Sequence, residues 1–170
     1  MRSDWVFSEE LEHLLAALMP QNRLACRVSL RTGLRIGDVL SLRTEQVRKA
    51  RFTVQEQKTG KRRSVTLPQK LVDELLCWAG EIYVFPGRLD GRKHRTRQAV
   101  WKDLRRVAAA FRLKEHLSPH TMRKSYAVDE YHRTADLKRV QRLLNHDNEA
   151  VTVLYAFADE LTRRRLKGRK

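Results

Sequence analysis

A single strand-like segment interrupts a chain whose apolar residues otherwise follow helical spacing. Apolar and polar side chains alternate over residues 52–56, the turn Lys58-Thr59-Gly60-Lys61 follows, and a second alternating run covers residues 64–67. Two such runs joined by a glycine-containing turn predict a β-hairpin. With one hairpin and no repeated strand–helix unit, the chain predicts an α+β fold, mostly α-helical with a small antiparallel β-sheet.

The predicted helices begin and end at residues that commonly mark helix boundaries. Leucines at helical spacing precede Pro20, Gly33 follows a second helical segment, and Ser118 with Pro119 forms an N-cap and first-turn pair. In chain order, we expect helices over residues 11–18, 21–32, 36–42, 68–76, 97–112, 118–132, 136–144 and 149–158, and a short strand over 83–85.

Charge is the strongest compositional signal. The 170 residues include 36 Lys and Arg against 20 Asp and Glu, a formal net charge of +16. Such an excess favours an anionic partner, most commonly nucleic acid, although a basic solvated surface is the alternative interpretation. No apolar run reaches the length of a membrane span, and Cys26 and Cys77 are too few for a disulfide scaffold. We therefore expect a reducing, cytoplasmic compartment.

His120 and Arg123 lie three residues apart near the start of a predicted helix, so they share one face of it. A helix start carries free N–H groups and a positive potential, both of which favour a phosphate. Imidazole transfers a proton near neutral pH, and a guanidinium binds two phosphate oxygens at once. The pair alone is weak evidence, because a helix in a basic protein often carries both residues by chance.

Three further residues are candidates for phosphate chemistry. Arg35 begins a predicted short helix, where the helix dipole disfavours a cation, so it either serves a bound anion or is solvated. Lys58 lies at the hairpin tip, from which an ammonium either reaches DNA or remains solvated. Tyr155 lies among apolar neighbours, which suits a core tyrosine, and as a nucleophile its phenol would need activation by cations.

Four segments, in order along the chain, resemble the tyrosine recombinase, or phage integrase, family. They are TGLRIGDVLSL (32–42), QKTGKRRSVTLP (57–68), HLSPHTMRKSYA (116–127) and LLNHDNEAVTVLYAF (143–157). Tyr155 follows His146 by nine residues, which is the spacing in that family. The resemblance implies the tyrosine recombinase catalytic-domain fold. It also implies an enzyme that cleaves and rejoins DNA at specific sites through a 3′-phosphotyrosyl intermediate.

The resemblance implies six catalytic residues, which are Arg35, Lys58, His120, Arg123, His146 and Tyr155. Arg35 and Arg123 would clamp the nonbridging oxygens of the scissile phosphate. His120 would assist them and aid proton transfer, and His146 would hydrogen-bond the phosphate. Fixed donors of this kind stabilise the negative charge that develops in the transition state.

The nucleophile and the general acid follow from the same resemblance. Tyr155 would attack phosphorus, and Lys58 would protonate the leaving 5′ oxygen, with Lys61 in the same turn as the alternative lysine. No cofactor and no metal is implied, because cationic side chains do the work that a metal ion does elsewhere. The expected DNA-binding side chains are Lys61, Arg62, Arg95, Arg97 and Lys124.

The sequence departs from the family pattern at three positions. Asp38 replaces the commoner glutamate, and Asn145 stands where glycine usually precedes the histidine. Lys124 stands where a second histidine commonly follows the arginine. None of these changes removes a catalytic group, and asparagine is the residue after glycine that best tolerates a positive φ.

The resemblance also predicts how the chain is organised. We expect residues 1–170 to form a single catalytic domain, without the N-terminal core-binding domain that most members carry. Its partner would be double-stranded DNA, on which the family acts as a homo-tetramer, and its origin would be bacterial or phage. The basic tail, residues 159–170, would be exchanged between protomers, or it would be a frayed solvated end.

Three other functions remain open from the sequence. A type IB topoisomerase shares the tyrosine chemistry but relaxes supercoils as a monomer on any sequence. A non-catalytic DNA-binding protein of the same fold would have no need of all six catalytic residues. A helical transcription factor would leave the residues from His120 to Tyr155 unexplained.

Overall fold

The computed structural model describes residues 8–113 and 116–144. The predicted helix over 149–158, His146, Tyr155 and the basic tail lie outside the described residues. In the described part, the elements in chain order are α1 (Ser8–Ala16), α2 (Pro20–Thr32), α3 (Ile36–Leu40), α4 (Thr44–Val47), β1 (Arg51–Gln55), β2 (Arg62–Thr66), α5 (Gln69–Trp78), α6 (Arg97–Ala110), α7 (Pro119–Thr134) and α8 (Leu137–Leu144).

The two strands form the predicted antiparallel hairpin. Phe52 in β1 lies opposite Val65 in β2, and both side chains are buried together with that of Val54. One face of the hairpin therefore packs on the core, which fixes its register. The turn closes through a hydrogen bond of 3.0 Å from the N–H of Glu56 to the carbonyl of Lys61.

Helix α2 is the central element of the fold and packs against α1, α3, α6 and α7. Its side chains Leu24, Ala25 and Val28 are buried in the main apolar core. The predicted α+β fold, mostly helical with one small sheet, is confirmed. Within the two described ranges, no helix is both long and apolar enough to cross a bilayer.

Element boundaries differ from the sequence expectation at several helix ends; for example, α1 ends at Ala16 rather than at residue 18. Residues 83–85 form no strand. Tyr83 makes only an isolated β-bridge, with Arg43, the residue that directly precedes α4. Helix α2 begins at Pro20 rather than after it, since proline lacks the N–H that the first helical turn leaves unbonded. Helix α4, over Thr44–Val47, is a single turn too short for apolar periodicity to reveal.

Gly33 ends α2 in a conformation that only glycine adopts without cost. Its φ is 66°, in the left-handed region, and its N–H donates to the carbonyl of Ser29 at 2.7 Å. The ring of Tyr126 in α7 lies against it, so that a Cβ at this position would lie 2.6 Å from Cε1 of that ring. The close approach of α7 to the end of α2 therefore depends on glycine immediately before the Leu34–Arg35 segment.

Replacing Gly33 with alanine should destabilise the protein more than the same change at Gly60. Both residues have a positive φ, which costs alanine about 1–2 kcal/mol, but a Cβ at Gly60 would meet nothing within 4 Å. At Gly33 the clash with Tyr126 adds about 1–3 kcal/mol. Urea unfolding of Gly33→Ala and Gly60→Ala measures the difference. If both variants lose the same free energy of unfolding, the contact with Tyr126 does not restrict the side chain allowed at position 33.

Candidate active site

Arg35 lies at the N-cap of α3, directly after the turn that Gly33 allows. Its backbone is extended, with φ −65° and ψ 144°, so Arg35 is not yet part of the helix. The guanidinium pairs through Nη1 with Oε2 of Glu56 in the hairpin, and the side chain is 19% exposed. The ion pair joins the α2–α3 turn to the end of β1 and leaves part of the guanidinium accessible.

Arg123 in α7 is almost completely buried, with 4% of the residue exposed. Its Nη1 donates to the carbonyl of Gly33, and its Nη2 donates to the carbonyl of Leu144, the last residue of α8. The side chain therefore connects the turn that precedes Arg35 to the end of α8. In the sequence, His146 follows that end by two residues.

Asp38 lies among the same groups, on the first turn of α3. It is buried, and its Oδ1 accepts a hydrogen bond of 2.9 Å from the N–H of Gln57 in the hairpin turn. Burial raises the pKa of the Asp38 carboxyl, and the positive charges of Arg35 and Arg123 oppose that rise in pKa. The aspartate at the position of the usual glutamate thus contacts the hairpin and lies in the field of both arginines.

His120 lies on the first turn of α7 and is exposed. Partial desolvation lowers the pKa of its imidazole, and the positive charges of Arg123, Arg35, Lys124 and Lys58 lower it further. Four of the sequence-predicted residues are therefore close enough to act on this histidine. A neutral imidazole surrounded by cations is suited to an anionic ligand.

The two candidate lysines occupy different places in the hairpin turn. Lys58 is exposed, and within the described residues its ammonium has no hydrogen-bond or ion-pair partner. Lys61 is also exposed, and its carbonyl closes the turn by accepting from Glu56. Lys58 is among the cations that lower the pKa of His120. That proximity supports Lys58 as the lysine of the site.

The predicted DNA-binding residues differ in how they are held. Arg97, at the start of α6, lies over α3, since its Cδ would be 3.3 Å from a Cβ at Gly37. Arg62 is exposed at the start of β2. Lys124 directly follows Arg123 and acts on His120.

Arg95 is the exception among these residues. Its Nε donates to Asn22 at 2.6 Å, and its Nη1 donates to Gln21 at 2.9 Å. Both partners lie on the first turn of α2. The Arg95 guanidinium thus links the segment before α6 to α2 through these two hydrogen bonds. The structure does not bring it together with the residues around His120.

Two residues of the site were missed by the sequence interpretation, namely Glu56 and Arg63. The carboxylate of Glu56 is 0% exposed, and its Oε1 lies 3.7 Å from Nη1 of Arg63, whose side chain is 11% exposed. The available signal was strand parity, because Glu56 continues the inward series of Phe52 and Val54, and Arg63 shares parity with Val65. A charge at an inward position indicates a buried ion pair.

No group of three His, Cys, Asp or Glu side chains in the described ranges could hold a metal ion. The residues brought together around the imidazole of His120 are instead cationic: Arg35, Lys58, Arg123 and Lys124. Arg63 lies next to this group, beside Arg35 and Glu56. Such a set binds a phosphate group and stabilises negative charge on its oxygens.

A mostly helical domain that presents clustered cations beside a hairpin defines a phosphate-binding class of protein. The sequence profile described as the phage integrase family matches residues 4–161. The chain therefore belongs to the phage integrase family.

Named relatives agree with that membership. The probable integrase/recombinase YoeC of Bacillus subtilis (strain 168) is 33% identical over 140 residues, which cover 79% of this chain and 76% of that protein. The tyrosine recombinase XerD of Bradyrhizobium diazoefficiens is 34% identical over 157 residues, which cover 81% of this chain and 49% of that protein. A tyrosine recombinase of Thermosipho africanus is 29% identical, with 89% of this chain and 56% of that protein covered. The chain thus spans about half the length of the latter two relatives.

Solved structures support the fold independently. The XerA recombinase has a TM-score of 0.73 at 17% identity, covering 98% of this chain and 64% of its own. A lambda integrase dimer bound to a core site has a TM-score of 0.75 at 19% identity, covering 92% of this chain and 60% of its own. The tyrosine recombinase catalytic-domain fold predicted from the sequence is therefore confirmed.

The low pKa of His120 leads to a prediction about anion binding. The pKa of the free imidazole should lie below its ordinary value of about 6.5, because partial desolvation and four cations disfavour its charged form. A sulfate ion bound among those cations should raise the pKa, since it offsets their repulsion. An NMR titration with and without sulfate, with the signal assigned through His120→Gln, measures the shift. An unchanged pKa would contradict an anion site shared by these residues.

Proposed function

We propose that this chain is the catalytic domain of a site-specific DNA recombinase that cleaves and rejoins strands through a 3′-phosphotyrosyl bond to Tyr155. The observation that carries the proposal is the convergence of Arg35, Lys58, Arg123 and Lys124 on His120 in a member of the phage integrase family. Cations gathered around an imidazole fit a phosphodiester as substrate, and the fixed positions of the two guanidinium groups suit transition-state stabilisation.

The electrophile is held by the groups that the structure describes. Arg123 is fixed by two carbonyls and Arg35 by Glu56, so both guanidinium groups are ordered before DNA arrives. In the proposed complex their remaining N–H groups bind the nonbridging oxygens of the scissile phosphate. His120 adds a donor or acceptor there and aids proton transfer, as an imidazole can near neutral pH.

The bond exchange proceeds without a cofactor. Tyr155 gives its phenolic proton to the imidazole of His120 as its oxygen attacks phosphorus, the bond from phosphorus to the 5′ oxygen breaks, and Lys58 protonates the departing oxygen. His146 donates a hydrogen bond to the phosphate. The new phosphotyrosyl ester retains the phosphodiester's bond energy, so that attack by a 5′ hydroxyl rejoins a strand and releases the tyrosine. No external energy source is required.

The DNA surface would extend from the site along exposed basic side chains. Lys61, Arg62, Arg97 and Lys124 are the proposed phosphate contacts, and a formal charge of +16 supports a large electrostatic contribution to binding. Arg95 was included in the sequence interpretation, but its guanidinium already bonds Asn22 and Gln21. In this proposal it supports the segment that leads to Arg97.

The assembly on DNA is part of the same proposal. Related structures are a lambda integrase tetramer bound to a Holliday junction and a XerH recombinase bound to its difH substrate. We infer that this chain acts as a homo-tetramer on double-stranded DNA in the cytoplasm, with the tail over 159–170 exchanged between neighbouring protomers. Residues 1–170 would then be a single catalytic domain.

Relaxation of supercoils by a type IB topoisomerase is not favoured. The relatives described above are named as recombinases or integrases, and none of them is named as a topoisomerase. The two activities share the cleavage step, and they differ in whether cleaved strands are exchanged between paired sites.

Replacing Tyr155 with phenylalanine should abolish covalent capture of DNA while leaving binding almost unchanged, because only the nucleophilic oxygen is lost. A nicked suicide substrate traps the covalent complex, which denaturing electrophoresis detects. The control is the same variant in a binding assay at low salt. A complex that persists in Tyr155→Phe would assign the nucleophile to one of the remaining tyrosines, which are Tyr83, Tyr126 and Tyr131.

Replacing Lys58 with alanine should slow cleavage of an ordinary substrate far more than cleavage of one with sulfur at the 5′ bridging position. A thiolate leaves without protonation, so it needs no general acid. An oxygen-specific loss of about 100-fold or more is expected, which is within the range for such catalysis. Lys61→Ala, at the other end of the same turn, is the matched control. Equal defects on both substrates would remove Lys58 from this role.

A further inference from the structure

The carboxylate of Glu56 occupies an unusual position in the site. It is completely buried, yet it lies at the end of an exposed hairpin turn and two residues before Lys58. Its backbone closes the turn at both ends, since its N–H donates to the carbonyl of Lys61 and its carbonyl accepts from the N–H of Gly60 at 2.8 Å. The orientation of the turn and the position of the carboxylate are therefore set by one residue.

At least three side chains of the described residues contact the carboxylate. Arg35 donates to Oε2 through Nη1, and the hydroxyl of Thr59 donates to the same oxygen at 3.2 Å. Nη1 of Arg63 lies 3.7 Å from Oε1, within ion-pair range, and has no hydrogen-bond partner among the described residues. The other nitrogen of Arg63, Nη2, donates to the carbonyl of Thr32 at the end of α2.

The carboxylate of Glu56 has two arginine counterions, and their side chains differ in how far they are exposed to solvent. Arg63 is fixed between β2 and the end of α2 and is 11% exposed, whereas Arg35 is 19% exposed. A buried carboxylate that lost its only partner would be strongly destabilised. Arg63 remains beside the Glu56 carboxylate. The negative charge of Glu56 is therefore still balanced when Arg35 also pairs with a phosphate.

We propose that Glu56 is a positioning residue for Arg35, holding its guanidinium at the phosphate site and in fixed register with the hairpin that carries Lys58. The inference rests on the proposed function and assigns within it a residue that does not touch DNA. The partner that orients a ligating group commonly affects its function about 10–100-fold, as the outer partners of metal ligands do. Glu56 acts in the same manner on a phosphate-binding guanidinium.

The first test separates catalysis from binding. Glu56→Gln keeps the shape of the side chain and removes its charge, and it should slow cleavage at saturating DNA by about 10–100-fold. The affinity for DNA, which many phosphate contacts share, should change much less. Glu56→Asp, which keeps the charge but withdraws it by one methylene, should give a smaller defect. If the glutamine variant does not fold, the cleavage rate of the aspartate variant still tests the role of Glu56.

Glu74→Gln is the matched control. Glu74 in α5 also pairs through Oε2 with an arginine Nη1, that of Arg27 in α2. Neither residue is among the groups that lower the pKa of His120. The control variant should cleave at the wild-type rate, which would show that loss of a glutamate–arginine pair does not by itself slow the reaction.

The second test does not depend on cleavage. The Nη–H signals of Arg35, assigned in ¹⁵N NMR spectra with Arg35→Lys, should be resolved and slow to exchange with water in the wild type, because Nη1 donates to Glu56. In Glu56→Gln the signals should exchange faster, because the guanidinium is no longer held. An unchanged signal would overturn the inference, whatever happens to cleavage. A changed signal with wild-type cleavage at saturating DNA would make Glu56 a structural residue only, which also overturns it.

These outcomes distinguish the inference from the proposed function. If the wild-type chain forms no covalent complex with any suicide substrate, the proposed function fails. The role of Glu56 is then decided by the Arg35 signal alone. If the wild type cleaves and the glutamine and aspartate variants match it, only the inference fails.

Discussion

The buried guanidinium of Arg123 is the interaction on which the geometry of the site depends. A charge with 4% exposure is tolerated in a protein interior only when its donors are used, and here two carbonyls accept from it. Those carbonyls belong to Gly33 and Leu144, which are 111 positions apart in the sequence. One side chain in α7 therefore fixes the turn before Arg35 and the end of α8 relative to each other.

Mutual repulsion among the cations is the constraint that the surrounding residues must offset. Arg35, Arg63 and Arg123 lie close to two buried carboxylates, Asp38 and Glu56. Three guanidinium groups and at most two charged carboxylates give the site a net positive charge. The exposed lysines of the site increase that charge. A site in this state is stabilised by an anion, so a bound phosphate should also raise the stability of the fold.

Local patterns were sufficient to predict most of the fold. The hairpin follows from alternation and a glycine-containing turn, and the Ser118–Pro119 start of α7 follows from capping, where the hydroxyl of Ser118 accepts from the N–H of His120 at 3.2 Å. The candidate residues came from the family resemblance. The structure places Arg35, Lys58, His120 and Arg123 together, whereas Tyr155 remains a prediction.

What sequence reasoning missed depends on contacts between distant residues. Arg95 read as a free basic side chain because Asn22, which accepts from it, lies 73 positions earlier. Glu56 was given no role in the site because its partner Arg35 lies 21 positions away on a different element. Strand parity signals that such a charge is buried, but it cannot identify the partner, because parity describes one strand and the pairing depends on how separate elements pack.

The exposed ammonium of Lys58 contrasts with the fixed guanidinium groups, and the contrast bears on the temperature dependence of the proposed reaction. Ordering a free lysine side chain costs about 2 kcal/mol of conformational entropy, whereas Arg35 and Arg123 are already ordered by their partners. Protonation of the leaving oxygen would therefore include an ordering cost that the two guanidinium groups do not add.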